Sequence, residues 1–273
     1  MRTLALSLFI IFAYFSIGAY LLYAQMPRYL FPNIVLTAQT EESHQFEFYD
    51  AFKNQLLVRE YGQDNAQCMV FFPGRHGGVK KYQETIFKAF QKNNFKVFSL
   101  SYPGQDGALG QVNNIASLIK LINDAMKVIS LNCPPEKTIL YGRSLGSAVA
   151  MHAVSESKMA GLILESVGPS LSIAVNNYFK SRWYLRPLTI LPITLLLPKD
   201  YDLNEPLALL KTTPVSIFQG AKDSQTPLKQ LQQHWTYGDN VSLHIVKTGE
   251  HLNTYSQAIN EIIKVAKSMT TQP

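Results

Sequence analysis

The chain has 273 residues, enough for one large domain with a full core or for two small domains. Its hydrophobic content of 47% and charged content of 16% exclude a disordered chain. The net charge of +6 is mild, and no cluster of Lys and Arg with interleaved aromatic residues occurs, so we do not expect nucleic-acid binding. The sequence also lacks C-x-x-C and H-E-x-x-H patterns, so we expect neither a metal ion nor a cofactor.

An uncharged, apolar segment runs from Leu4 to Ala24. As a helix it would be about 30 Å long, enough to cross a bilayer. A cleaved signal peptide is the alternative, but its apolar core is usually only about 7–15 residues long, and Leu22 and Tyr23 do not suit a cleavage site. We therefore predict a membrane anchor at residues 1–24. Arg2 favours a cytoplasmic N-terminus, which would place the rest of the chain on the non-cytoplasmic side.

Residues 25–43 are expected to form a juxtamembrane linker, because Pro27 and Pro32 limit regular structure there. A compact domain is expected at residues 44–273. It contains the only two cysteines, Cys68 and Cys133, which the sequence leaves open as free thiols or as one bridge.

Strands and helices alternate along this domain. The predicted strands lie at 45–52 and 55–61, which form a hairpin, and at 68–72, 96–100, 137–141, 161–164, 215–218 and 242–246. The predicted helices lie at 80–93, 114–130, 144–156, 227–236 and 253–268. This alternation predicts an α/β fold with a mostly parallel central sheet flanked by helices.

Residues 168–212 interrupt the alternation. Within them, residues 186–198 are apolar and punctuated by proline, and this run is too short and broken to span a membrane. We expect a small cap-like segment here. It would be either a lid or wall of an acyl pocket, or a buried helix with a crossover loop.

The run from Gly142 to Gly146 has the pattern G-x-S-x-G. It follows a predicted strand and precedes a predicted helix, which is the context in which this pattern marks a nucleophilic serine. Glycines suit such a turn because strand and helix approach each other closely there. The pattern therefore predicts Ser144 as a nucleophile.

A serine nucleophile needs a base and a group that orients the base. Asp223 and His251 each follow a predicted strand, in the chain order Ser, Asp, His. The carboxyl ends of parallel strands meet at one edge of a sheet, so these three side chains are expected to lie together. Glu165 also ends a predicted strand and remains an alternative acid.

Several further motifs accompany these residues. They are Tyr141-Gly142-Arg143-Ser144-Leu145-Gly146, Tyr102-Pro103-Gly104, Glu165-Ser166, Tyr201-Asp202, Gly220-x-x-Asp223-x-x-x-Pro227 and Gly249-x-His251. Together they make the chain resemble the α/β-hydrolase superfamily, in its membrane-anchored, serine-aminopeptidase-like or esterase-like branch. The resemblance covers roughly residues 45–268 and implies an α/β-hydrolase fold.

By this resemblance Ser144 is the nucleophile, Asp223 the acid and His251 the base. The oxyanion would be held by the backbone N–H groups of Leu145, which follows the nucleophile, and of Arg75. The family usually has a His-Gly-x start in the second loop, whereas this chain has Pro73-Gly74-Arg75.

The expected function is a serine hydrolase that cleaves an ester, thioester or amide bond of a small-molecule or lipid-like acyl substrate through an acyl-enzyme. The alternative is a catalytically silent domain that binds a ligand or a partner, for which the altered loop at Arg75 is the support. The triad does not specify the substrate, because pocket shape sets that preference.

Overall fold

The structure is a computed structural model. It describes residues 2–34, 44–64, 67–76, 78–154, 159–234, 236 and 238–271. Residues 35–43 of the expected linker, residues 155–156 of one expected helix and residue 235 of another lie outside the described residues.

Within the described residues, eight strands form one sheet in the order β1-β2-β4-β3-β5-β6-β7-β8. β1 and β2 form the expected antiparallel hairpin, β2 pairs antiparallel with β4, and the other neighbours are parallel. The strands are β1 His44–Tyr49, β2 Gln55–Tyr61, β3 Gln67–Phe72, β4 Phe95–Ser101, β5 Thr138–Arg143, β6 Gly161–Glu165, β7 Val215–Gly220 and β8 Val241–Val246. The predicted α/β class with a mostly parallel sheet is thus confirmed.

Helices cover both faces of this sheet. The helices of the described residues are α1 Arg2–Ala24, α2 Met26–Leu30, α3 Val79–Tyr82, α4 Lys88–Gln91, α5 Ile115–Asn132, α6 Leu145–Val154, α7 Leu171–Ser181, α8 Ile193–Leu196, α9 Asn204–Leu209, α10 Leu228–His234 and α11 Thr254–Thr270. A π-helical stretch, Gln83–Phe87, joins α3 to α4, so the helix expected at 80–93 is present with a locally wider turn.

Alternate side chains of the strands belong to two apolar layers, one on each face of the sheet, because successive residues of a strand point to opposite faces. In β3, Val70 and Phe72 pack with α5 and α6, whereas Met69 and Phe71 pack with α4 and α11. The central strands are buried on both faces, which explains why they are continuous apolar runs in the sequence.

The segment after α1 differs from the expected linker. Met26 and Leu30 of α2, and Phe31 after it, are buried in the same apolar layer as α5 and α6. The Phe31 ring lies edge-on to Tyr102, with centroids 5.2 Å apart. Ile34 then forms a parallel bridge with Gln105. Residues 26–34 therefore pack against the apolar layer of the sheet.

The cap-like segment between β6 and β7 contains α7, a 3-10 turn at Arg186–Ile190, α8 and α9. Ser170 caps α7 by accepting a hydrogen bond from the Ile173 amide. Leu188 and Ile193 point into the core, whereas other large apolar side chains of the segment are exposed. The segment is thus partly core and partly surface.

Cys68 and Cys133 form a disulfide, which answers the question that the sequence left open. The bond joins β3 to the residue after α5, and its two ends are 65 residues apart in sequence, with Cα atoms 6.0 Å apart. A crosslink over such a long loop restricts the unfolded chain and so stabilises the fold.

We expect the double variant Cys68→Ser/Cys133→Ser to have a free energy of unfolding lower by about 2–4 kcal/mol, because the unfolded chain regains the entropy of the open loop. Denaturant titration in detergent, followed by circular dichroism, measures this. A reductant should destabilise the wild-type protein by a similar amount and leave the double variant unchanged. A wild-type protein insensitive to reductant would contradict the prediction.

Candidate active site

Ser144 lies in the turn between β5 and α6 and has a positive φ of 53°. A non-glycine residue rarely adopts this conformation, and it persists only where the surroundings hold it. The Ser144 amide donates to the Glu165 carbonyl at 2.7 Å, and the Ser147 amide donates to the Ser144 carbonyl at 2.9 Å. A side chain at Gly146 would collide with the carbonyls of β3, so glycine is required for α6 to pack this closely.

The structure brings Ser144, His251 and Asp223 together, although they are far apart in sequence. The Ser144 Oγ lies 3.0 Å from His251 Nε2, and His251 Nδ1 lies 2.9 Å from Asp223 Oδ2. His251 and Asp223 are buried, whereas Ser144 is partly exposed. A serine bonded to an imidazole that is oriented by a carboxylate is the geometry by which a hydroxyl can be activated as a nucleophile.

The loop after β7 holds the Asp223 carboxylate in place. Its Oδ1 accepts from the Gln225 and Thr226 amides at 2.9 and 2.8 Å, and its Oδ2 accepts from the Thr226 hydroxyl at 2.7 Å. Burial opposes ionisation of Asp223, but the bond and charge of His251 and the bonds from Thr226 outweigh it. The pKa of Asp223 therefore lies below its ordinary value.

A buried ion pair lies beneath these residues. Arg143 and Glu165 end the neighbouring strands β5 and β6 and face each other in the sheet register, with Arg143 Nε 3.5 Å from Glu165 Oε2. Glu165 also accepts hydrogen bonds from the Tyr141 hydroxyl and the Tyr255 amide. Arg143 Nη2 donates to the His251 carbonyl at 2.7 Å, which ties the pair to the loop that carries the imidazole.

Glu165, the alternative acid of the sequence analysis, thus bonds to Arg143, Tyr141 and Tyr255, while Asp223 bonds to the imidazole of His251. Full burial raises the pKa of Glu165 above its ordinary value, although the charge of Arg143 and the two hydrogen bonds oppose this. The geometry favours a structural role for Glu165.

The two expected oxyanion donors belong to backbone segments that adjoin Ser144. Leu145 is the first residue of α6, where backbone N–H groups have no partner within the helix. A Cβ at Gly74 would lie 3.4 Å from the Ser144 Cβ, so the loop after β3 touches the elbow one residue before Arg75. Each donor is therefore on a backbone segment next to the nucleophile.

The Arg75 side chain contacts the segment after α1. Its Nε donates to the Tyr29 carbonyl at 2.8 Å, its guanidinium lies 4.3 Å from the Tyr29 ring centroid, and its Nη1 lies 3.0 Å from His76 Nε2. The Gln105 amide group donates to the Arg75 carbonyl at 3.1 Å. Arg75, in the loop that has Pro73 where the family usually has a histidine, therefore links that loop to the segment after α1.

In the part of the chain that the structure describes, no group of three or more His, Cys, Asp or Glu side chains is placed to hold a metal ion.

Three contributors to the site were not predicted from the sequence. The sequence contains a signal for Arg143, because residues of opposite charge, Arg143 and Glu165, end two neighbouring strands. Thr226 also had one, since a hydroxyl three residues after an aspartate commonly closes a turn with it. Tyr29 had none, because its contact with Arg75 joins segments that no local pattern relates.

Comparison with known proteins agrees with this architecture. The family model described as "Serine aminopeptidase, S33" matches residues 63–199, half of the chain. A parallel sheet with a strand–turn–helix elbow defines an α/β-hydrolase, and this chain belongs to the serine aminopeptidase S33 family of that class.

Among curated proteins, phytyl ester synthase 1, chloroplastic, of Arabidopsis thaliana is 24% identical over 182 residues, which are 63% of this chain. The chain spans only 23% of the length of that relative. Among solved structures, an esterase of Pyrococcus furiosus has a TM-score of 0.68 at 15% identity, over 88% of this chain and 96% of its own. An esterase of Exiguobacterium antarcticum has a TM-score of 0.60 at 13% identity, over 83% and 99%. These structures share the fold.

We expect Asp223→Asn to lower kcat for an ester by roughly 10³–10⁴-fold, because the amide cannot stabilise the imidazolium or hold the required tautomer. The measurement is steady-state hydrolysis of a soluble p-nitrophenyl ester. A loss of less than tenfold would contradict the assignment of Asp223 as the orienting group.

The same variant should change the response of stability to acid. The pKa of Asp223 is lower in the folded state, so its ionised form stabilises the fold above the ordinary value of 3.8, and this stability is lost as the pH falls through the folded-state pKa. Asp223→Asn should therefore lose less stability than the wild type below about pH 4. Urea titrations at several acidic pH values measure the difference.

Glu165→Gln should destabilise the protein by about 3–5 kcal/mol, because Arg143 is left as a buried charge without its partner. Denaturant titrations of Glu165→Gln and Asp223→Asn, measured side by side, distinguish the roles of the two carboxylates. A Glu165→Gln protein with wild-type stability and a kcat reduced as much as in Asp223→Asn would instead make Glu165 the catalytic acid.

Proposed function

We propose that this protein is a membrane-anchored serine esterase that hydrolyses carboxylic esters through an acyl-enzyme. The observation that carries the proposal is the hydrogen-bonded series from Ser144 Oγ through His251 to Asp223, at 3.0 and 2.9 Å. A nucleophile, a base and an orienting carboxylate at these distances are the parts needed for acyl transfer.

In the proposed mechanism His251 Nε2 takes the Ser144 proton as Oγ attacks the acyl carbon. Asp223 accepts a hydrogen bond from Nδ1–H and stabilises the imidazolium. The C–O bond to the leaving alcohol then breaks, and the alcohol takes the proton from His251. Water then attacks the acyl carbon of the acyl-enzyme while His251 takes its proton, the bond to Ser144 Oγ breaks as His251 returns the proton to the serine, and the carboxylic acid leaves. General-base assistance of this kind contributes about 10²–10⁴-fold to the rate.

The backbone amides of Leu145 and Arg75 are assigned to the oxyanion in this proposal. Gly74 supports the assignment, because a Cβ at this glycine would lie 3.4 Å from the Ser144 Cβ and Arg75 is the next residue in the loop. Fixed donors at the position where negative charge develops stabilise the transition state more than the ground state. The Tyr29 carbonyl restrains the Arg75 side chain and so helps to keep this loop in one conformation.

An ester is the bond we favour over a thioester or an amide. The solved structures that the fold resembles include esterases of Pyrococcus furiosus and Exiguobacterium antarcticum. The curated relative is named as a phytyl ester synthase, so by its name the bond that it forms is an ester. The proposed substrate class is therefore an acyl ester, either a small molecule or a lipid.

The location proposed for this activity is a membrane surface outside the cytoplasm. Within the described residues, α1 is the one helix long and apolar enough to cross a bilayer. The disulfide between Cys68 and Cys133 supports a non-cytoplasmic position for the rest of the chain, because disulfides persist mainly in oxidising compartments.

A fluorophosphonate probe should label the wild-type protein and leave Ser144→Ala unlabelled, because the probe reacts with an activated serine hydroxyl. Mass spectrometry of the labelled peptide identifies the site. Ser172→Ala is the matched control: this partly buried serine bonds to Asp200 on the cap, and its loss should leave labelling unchanged.

A panel of p-nitrophenyl esters of increasing chain length then measures the acyl preference of the wild type. An unlabelled wild-type protein that is folded by circular dichroism and inactive on the whole panel would refute the esterase. The domain would then be a silent binding module.

A further inference from the structure

Four large apolar side chains on the cap are exposed to solvent. Trp183 is 82% exposed, Ile190 79% and Leu195 82%, and Tyr184 is about half exposed. We call these four residues the cap face. Soluble surfaces seldom present so many large apolar side chains within a short segment, and such surfaces usually contact a partner or a membrane.

The cap face lies beside the apolar helix α1. The Tyr14 hydroxyl of α1 donates to the Tyr184 carbonyl, and α8, which carries Leu195, packs against α1. At Gly18 the backbone of α1 touches the cap directly, since a Cβ there would lie 2.6 Å from Leu188 Cδ2. One side of the second half of α1 therefore contacts the cap, whereas Ile17, Tyr20, Leu21 and Tyr23 on its other side are exposed and the first half projects freely.

The length of the free half decides how deep this contact lies. Residues 2–13 extend about 18 Å at about 1.5 Å per residue. The hydrocarbon core of a bilayer is about 30 Å thick. If α1 crosses this core, the remaining distance of about 12 Å must be spanned by the second half of α1, the half that contacts the cap. The cap residues at this contact then lie within the leaflet.

The charges next to the cap face fit a lipid surface. Residues 171–198 contain Lys180, Arg182 and Arg186 and no acidic residue. All three basic side chains are exposed, and Arg182 lies over the Tyr178 ring. Basic residues beside exposed Trp and Tyr are typical of segments at the boundary between lipid headgroups and acyl chains.

We propose that the cap face is a second membrane-contact surface, immersed in the bilayer leaflet that surrounds the second half of α1. This proposal rests on the membrane anchor of the proposed function, and it adds that the hydrolase domain itself enters the lipid. The partner is the bilayer, because the cap face continues the apolar surface of the helix that would span it.

Spin labels on the full-length protein in liposomes test the proposal. Three separate variants, Leu195→Cys, Phe12→Cys and Leu131→Cys, each carry one nitroxide on the introduced cysteine, while Cys68 and Cys133 stay joined in their disulfide. Power saturation then compares the collisions of each nitroxide with oxygen, which concentrates in the bilayer, and with a nickel chelate, which stays in water. Leu131 is the matched control for Leu195, because it is a leucine 81% exposed. It lies near the C-terminal end of α5, which leads into β5.

We expect the labels at Leu195 and Phe12 to collide mainly with oxygen and the label at Leu131 mainly with the nickel chelate. A Phe12 label in lipid with a Leu195 label as accessible to nickel as Leu131 would overturn the cap contact while leaving the anchor intact. A Phe12 label in water would overturn the anchor and the cap contact together. Ile190→Cys, on the 3-10 turn, replaces Leu195→Cys if that variant does not hydrolyse a soluble ester.

Discussion

The buried ion pair between Arg143 and Glu165 is the contact on which the geometry of the candidate site depends most. Both charges are removed from water at the ends of neighbouring strands, so each is tolerated only while the other is present. Arg143 holds the His251 carbonyl, and Glu165 holds the Tyr255 amide at the beginning of α11. The loop that carries the imidazole is thus restrained at two points by one pair, and the stability of the sheet edge and the position of the base cannot vary independently.

The fold class could be predicted because strands buried on both faces leave a clear trace in the sequence, as at 68–72. The grouping of Ser144, Asp223 and His251 could also be expected, because each follows a strand and parallel strands end at one edge. Their distances could not, since these depend on loop conformations that no periodic pattern records. Nor could the disulfide, which joins segments 65 residues apart through the packing of β3 against α5.

The segment after α1 shows why a local rule can mislead. Pro27 and Pro32 were expected to keep residues 25–43 irregular, yet Pro27 lies in the first turn of α2, where its missing N–H costs no helical bond. Whether such a segment packs depends on its apolar side chains and on a surface elsewhere in the chain that fits them. For Phe31 that surface is the ring of Tyr102, which lies far along the sequence.

This packing ties α2 and Phe31 to the domain that carries the candidate site. A soluble form of the protein that began at residue 44 would lose the ring that covers Tyr102 and the carbonyl that restrains Arg75. Cutting the chain at residue 25 instead would remove the apolar helix and keep both contacts, although it would uncover Leu188 of the cap, on which Gly18 packs. The helix α2 therefore belongs with the domain that carries the candidate site, even though in sequence it directly follows α1.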